Sequence, residues 1–147
     1  MTPIDRAQIA ALIPHAGTMC LLDAVLRWDA NSVRCLSRRH ARDDNPLRRP
    51  DGTLGAVCGV EIAAQAMAVH GRLVADGAGS SANGYLASLR DVRLRQARLD
   101  RVAGDLVIDA ERLMGDARCA TYRFVIGSGD VELLSGRATV LLGAVPE

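Results

Sequence analysis

Between Leu54 and Val69 the chain reads LGAVCGVEIAAQAMAV, and only Glu61 and Gln65 in that stretch carry side chains that form strong hydrogen bonds. The two stand four positions apart, which stacks them on one face of a helix, one turn from each other. Apolar residues everywhere else predict a helix buried on nearly all sides. Its sixteen residues are too few for a membrane span, and His70 and Arg72 follow at once. A carboxylate in such surroundings is costly unless it is paired, hydrogen-bonded or protonated, which makes Glu61 the first candidate for function.

Elsewhere the period shortens. A short helix is expected from Arg6 to Leu12, capped by Thr2 or Asp5 and ended by Pro14. Met19 to Trp28 and Ser32 to Arg39 read as a first hairpin, with Val33, Cys35 and Ser37 alternating against Arg34 and Arg38. The polar loop from His40 to Thr53 leads into the long helix, with Thr53 as its cap, and the helix runs to about Ala75. The Gly/Ser-rich GAGSSANG that follows predicts a flexible connection. Four strands come next: Tyr85 to Gln96, Asp105 to Met114, Cys119 to Ile126 and Val131 to Leu142, the last with a bend or bulge at Gly136. Strands segregated around one helix mean α+β, not a doubly wound sheet, and nothing marks a second domain within residues 1–147.

Composition narrows the function classes. Eighteen basic and seventeen acidic residues leave a formal charge of +1, which points to neither nucleic acid nor a membrane surface. Four aromatic side chains offer little for base stacking. Cys20, Cys35, Cys58 and Cys119 form no CxxC pair and stand near no histidine cluster, so neither a metal site nor a disulfide framework is expected. Buried free thiols in a reducing compartment are the plain reading, and no cofactor is implied. An N-terminus with an early Asp5 and no long apolar core is not a signal peptide, so a cytoplasmic location is expected. Met19, Met67 and Met114 are expected in the core.

Three stretches resemble one family. LIPHAGTMCLLDAVL (Leu12 to Leu26), GVEIAAQAMA (Gly59 to Ala68) and YLASLRDVRLRQ with GDLVIDAERL (Tyr85 to Leu113) resemble, in the same order, the opening, helix and strand motifs of 3-hydroxyacyl-acyl-carrier-protein dehydratases. The subgroup most similar comprises the dehydratase-like proteins of aryl polyene biosynthesis, on IPHAG-x-M-x-LLD (Ile13 to Asp23), NPLR (Asn45 to Arg48) and GxE-x-AAQAMAxHG (Gly59 to Gly71). The resemblance implies a hotdog fold, a curved antiparallel sheet wrapped around one central helix. It also implies a homodimer or a heterodimer with a related dehydratase, acting on acyl chains carried as thioesters on the phosphopantetheine arm of an acyl carrier protein.

One departure stands out. Those dehydratases carry a loop histidine fourteen residues before the helix carboxylate, and here that position is Leu47. The nearest upstream imidazole is His40, twenty-one residues before Glu61. The family's oxyanion donor lies five residues before the carboxylate, at Ala56, flanked by Gly55 and Gly59.

Dehydration needs a base for the α-proton, an acid for the departing hydroxyl and a donor for the enolate-like oxygen. Glu61 suits the acid, since burial raises a carboxyl pKa. His40 suits the base, with His15 of the IPHAG turn as a second candidate. A backbone N–H at the helix start near Ala56 or Gly59 suits the oxygen. Gln65 reads as a helper that orients Glu61 or binds across the dimer, and Arg48 and Arg49 as contacts to the acidic carrier or its phosphate. His70 reads as a helix-end interaction. Two rival functions remain: a catalytically silent subunit that pairs with an active dehydratase, and an acyl thioesterase on the same fold.

Overall fold

Strand alternation sorts each side chain to one face of a single sheet, and the long helix fills the concave face. The computed structural model describes residues 2–13, 17–75, 84–116 and 118–142. The elements run β1 (Ile4–Asp5), α1 (Arg6–Leu12), β2 (Ala24–Trp28), β3 (Ser32–Ser37), α2 (Gly59–Val74), β4 (Gly84–Leu94), β5 (Leu106–Gly115), β6 (Cys119–Ser128) and β7 (Val131–Leu142). All pairings are antiparallel, in the order β1-β2-β3-β5-β6-β7-β4. A sheet wrapped on one helix is the α+β hotdog arrangement expected from the sequence. No helix among the described residues is long and apolar enough to cross a membrane.

The core lies between sheet and helix. Val33, Cys35, Ile108, Ala110, Phe124, Ile126, Ala138 and Val140 face inward from the strands, and Ile62, Ala63, Ala66, Met67 and Val69 face them from α2. The small side chains of α2 let the sheet come close. At Gly59 the approach is tightest: a Cβ there would lie 2.8 and 2.9 Å from the Leu134 methyls and 3.2 Å from Ile126 Cδ1. Asp5 caps α1 in a capping box with Gln8.

Several expectations are corrected. The predicted strand from Met19 starts only at Ala24, after a 3₁₀ turn over Gly17–Met19. Cys20, Leu21 and Leu22 are buried in succession, so they do not alternate. Side chains satisfy their backbone instead: Arg6 donates to the carbonyls of Cys20 and Leu22, and Ser37 to that of Leu21. Thr53 caps nothing, because the helix opens through a 3₁₀ turn at Ala56–Cys58 and α2 begins at Gly59 without a side-chain cap. Gly136 is not a bend. Its missing Cβ makes room for the Phe124 ring, whose Cζ would stand 3.0 Å away. The irregularity falls across from it in β4, between Arg90 and Arg93, where Asp91 takes a φ of 54°.

Met67 is in the core, whereas Met19 and Met114 are 43% and 69% exposed. Cys20 and Cys35 are buried, the latter with its thiol pKa pushed up to about 12 by burial, while Cys58 and Cys119 are half-buried. The GAGSSANG connection lies almost wholly outside the described residues.

Candidate active site

The site is built on the start of α2 and the loops that fasten it. A segment after β4 holds the approach to the helix: Leu99 N–H donates to the Leu54 carbonyl at 2.8 Å, and Leu54 N–H donates to Asp100 Oδ1 at 2.9 Å. The Arg98 guanidinium beside Asp100, together with that N–H, holds the Asp100 carboxyl well below the usual carboxylate range. Sequence reasoning missed this anchor, although an RxD pair after a strand was there to be read.

The expected oxyanion donor is corrected. Ala56 is 1% exposed and its N–H donates to the Ala97 carbonyl at 2.9 Å. Cys58 N–H is taken by Gly55. Val57, 55% exposed, keeps an N–H with no acceptor among the described residues. Gly59 serves close packing against Leu134 and Ile126.

Glu61 lies in the first turn of α2 and is half-buried. The sequence predicted burial on nearly all sides. Within one chain, a stripe of Glu61, Ala64, Ala68, Gly71 and Arg72 stays partly open on the face turned from the sheet. Gln65, one turn on, reaches the N-terminal segment: its Oε1 accepts from Leu21 N–H and its Nε2 donates to the Met19 carbonyl, both at 2.8 Å. Its amide thereby pins residues next to the IPHAG motif onto α2.

His40 sits in a 3₁₀ turn, Arg39–Ala41, and is 2% exposed. Its Nε2 lies 3.1 Å from the Val102 carbonyl and must carry the proton to bond there, which leaves Nδ1 as the basic nitrogen. That Nδ1 is buried with no hydrogen-bond partner among the described residues. Arg48 points inward and clamps the loop, donating to the carbonyls of Gly52 at 2.7 Å and His40 at 2.9 Å. Arg49 is exposed, with its guanidinium over Gly55 at the helix approach. His15 lies outside the described residues. Among the described residues no cluster of side chains could hold a metal ion.

His70 is not a helix-end cap. It is fully buried, accepting at Nδ1 from the Tyr122 hydroxyl at 2.6 Å and donating from Nε2 to the Asp29 carbonyl at 2.8 Å. Burial holds its pKa below the ordinary value and pushes that of Tyr122 up to about 12. A tyrosine at an inward position of β6 was the sequence's signal that a buried partner was needed.

Known proteins share this fold. The family model for ApeP-like proteins, described as ApeP dehydratase, matches residues 7–144. A chain of the dehydratase heterocomplex ApeI:P from Xenorhabdus doucetiae superposes with a TM-score of 0.82 at 23% identity, over 92% of this chain and 91% of that one. A mutant thioesterase from Pseudomonas aeruginosa gives 0.65 at 13% identity, over 96% and 95%. Zebra fish thioesterase superfamily member 2 gives 0.64 at 16%, over 94% and 95%. No curated protein matches the sequence.

Proposed function

The chain belongs to the ApeP-like dehydratase family, and from that premise we propose that it removes water from 3-hydroxyacyl thioesters borne by an acyl carrier protein, with Glu61 as general acid. The observation that carries this reading is the position of Glu61: a half-buried carboxylate in the first turn of a helical stretch whose other polar side chain is Gln65, directly after a turn that exposes Val57. A base takes the α-proton of the substrate, the electron pair moves to form the double bond, and the β-hydroxyl leaves as water with the proton that Glu61 supplies. Val57 N–H, at the positive end of the α2 dipole, suits the enolate-like oxygen. Unpartnered Nδ1 supports His40 as the base, and His15 is the alternative. Arg49 suits the phosphate of the carrier's arm better than Arg48, whose guanidinium is spent on the loop.

A second reading, a silent subunit paired with an active dehydratase, draws on the sheet edge. On the concave side of β4, Leu86, Leu89 and Leu94 are 40%, 41% and 48% exposed, beside the partly open stripe of α2. Apolar residues uncovered along a long edge strand suit a partner chain, whether a second copy or a related dehydratase.

The test is incubation with 3-hydroxyacyl-carrier protein, alone and with a related dehydratase, following loss of water by mass. Glu61→Gln abolishes turnover if Glu61 is the acid; unchanged turnover retires the site. Loss with only one of His40→Ala and His15→Ala identifies the base. Activity that requires the partner and survives Glu61→Gln establishes the silent subunit, and release of free acid establishes a thioesterase.

A further inference from the structure

On the outer face of the sheet, turned away from α2, three arginines stand in one row. Arg123 of β6 is directly opposite Arg137 of β7, and Arg137 is directly opposite Arg90 of β4. All three are exposed. Like charges at directly opposed positions destabilise a sheet, so the row works against the fold that carries it. Acids nearby do little to relieve it. Among the described residues the three guanidinium groups make a single ion pair, Arg137 Nε with Asp91 at 4.0 Å, with the side chains 49% and 71% exposed.

The neighbouring row shows the contrast. There Arg34 faces Asp109 and the pair closes bidentately at 2.7 and 2.9 Å. In the arginine row Glu111 lies opposite Arg123, and beyond it a cleft of about 270 Å³ opens, lined by Arg27, Arg34, Glu111 and Arg123.

We propose that this row is a docking face for an acidic helix of another protein. Neighbouring strands lie roughly 4.7–4.9 Å apart. Carboxylates at i and i+4 on a helix are about 5–6 Å apart. A helix laid across the strands therefore presents one carboxylate to each rung, and arginine binds carboxylate in a two-pronged geometry. A single nucleic-acid strand fits less well, because the positions flanking the row on β6 and β7 are Thr121, Val125, Ser135 and Thr139, with no aromatic for a base to stack on. The face lies across the sheet from Glu61, so the proposal does not rest on the acyl-thioester reading.

The experiment titrates the full chain with a fluorescent alanine-based helical peptide carrying glutamate at every fourth position. A peptide of identical composition, with its glutamates spread around the helix, is the control. The striped peptide is expected to bind about tenfold more tightly than the control, with an affinity that falls steeply with salt. Arg137→Gln is expected to weaken it about tenfold while leaving Tm unchanged or raised, because the variant relieves two like-charge contacts. Arg90→Gln, at the sheet edge, repeats the test if Arg137→Gln folds poorly. Equal affinity for both peptides, no binding of either, or undiminished binding by the variants overturns the proposal. So does tighter binding of a single-stranded RNA or of anionic vesicles.

Discussion

Replacing Gln65 by leucine tests whether the segment after the IPHAG motif is held to α2 by the amide or merely by apolar contact. Gln65 and Leu21 are each 1% exposed, and the Leu21 N–H has the Gln65 Oε1 as its acceptor. Leucine fills similar space but leaves that N–H buried without an acceptor, which costs about 1–3 kcal/mol. Losing the bond from Nε2 to the part-buried Met19 carbonyl adds about 0.5–1.5 kcal/mol. Apolar burial of the new side chain offsets part of this, so the net loss is about 2–3 kcal/mol. For a chain of 147 residues the entropy of unfolding makes 1 kcal/mol worth about 3 °C in Tm. Far-UV circular dichroism, at fixed protein concentration, should therefore show a fall of roughly 6–9 °C. Amide exchange should quicken at Leu21 in particular. A Tm within about 1 °C of the parent, with Leu21 still protected, refutes the reasoning.

Other changes probe other parts. Gly59→Ala should lower stability by about 1–3 kcal/mol despite alanine's helix preference, because its methyl meets Leu134 at 2.8 Å; an unchanged urea midpoint would mean that the helix start shifts freely. Burial holds His70 below the ordinary histidine pKa of about 6.5, so the unfolded chain takes up its proton at higher pH than the folded one. The stability that follows from a neutral His70 is complete above pH 6.5 and declines as pH falls from there toward the folded pKa. Tm measured across this range should fall with acid, and His70→Gln should flatten the fall; an equal slope in the variant assigns the acid sensitivity elsewhere. If the open edge of β4 is where a second chain binds, as proposed above, Leu89→Arg should weaken that association by about tenfold or more, read by sedimentation. Undiminished association would place the contact on another surface.

The fold class was legible because periodicity is a local property. Val33, Cys35 and Ser37 alternate against Arg34 and Arg38, and all three prove buried. The helix Arg6–Leu12 and the strand Val131–Leu142 fall where their patterns predict, since caps, turns and period all act over a few residues. Where apolar residues run together, as in Cys20 to Leu22, the period is silent and the strand was overextended.

The site was legible only as a set of suspects. Glu61 and Gln65 stand out because a polar group in an apolar helix demands a partner, but the demand does not name it. Gln65 finds its partners at Met19 and Leu21, Ala56 gives its N–H to Ala97, and His70 meets Tyr122. Each of those contacts joins residues more than thirty apart in the chain. Composition and spacing decide which face a residue takes; only the close approach of distant segments decides which donor meets which acceptor. That approach also determines which stripe of α2 and which edge of the sheet stay uncovered within one chain.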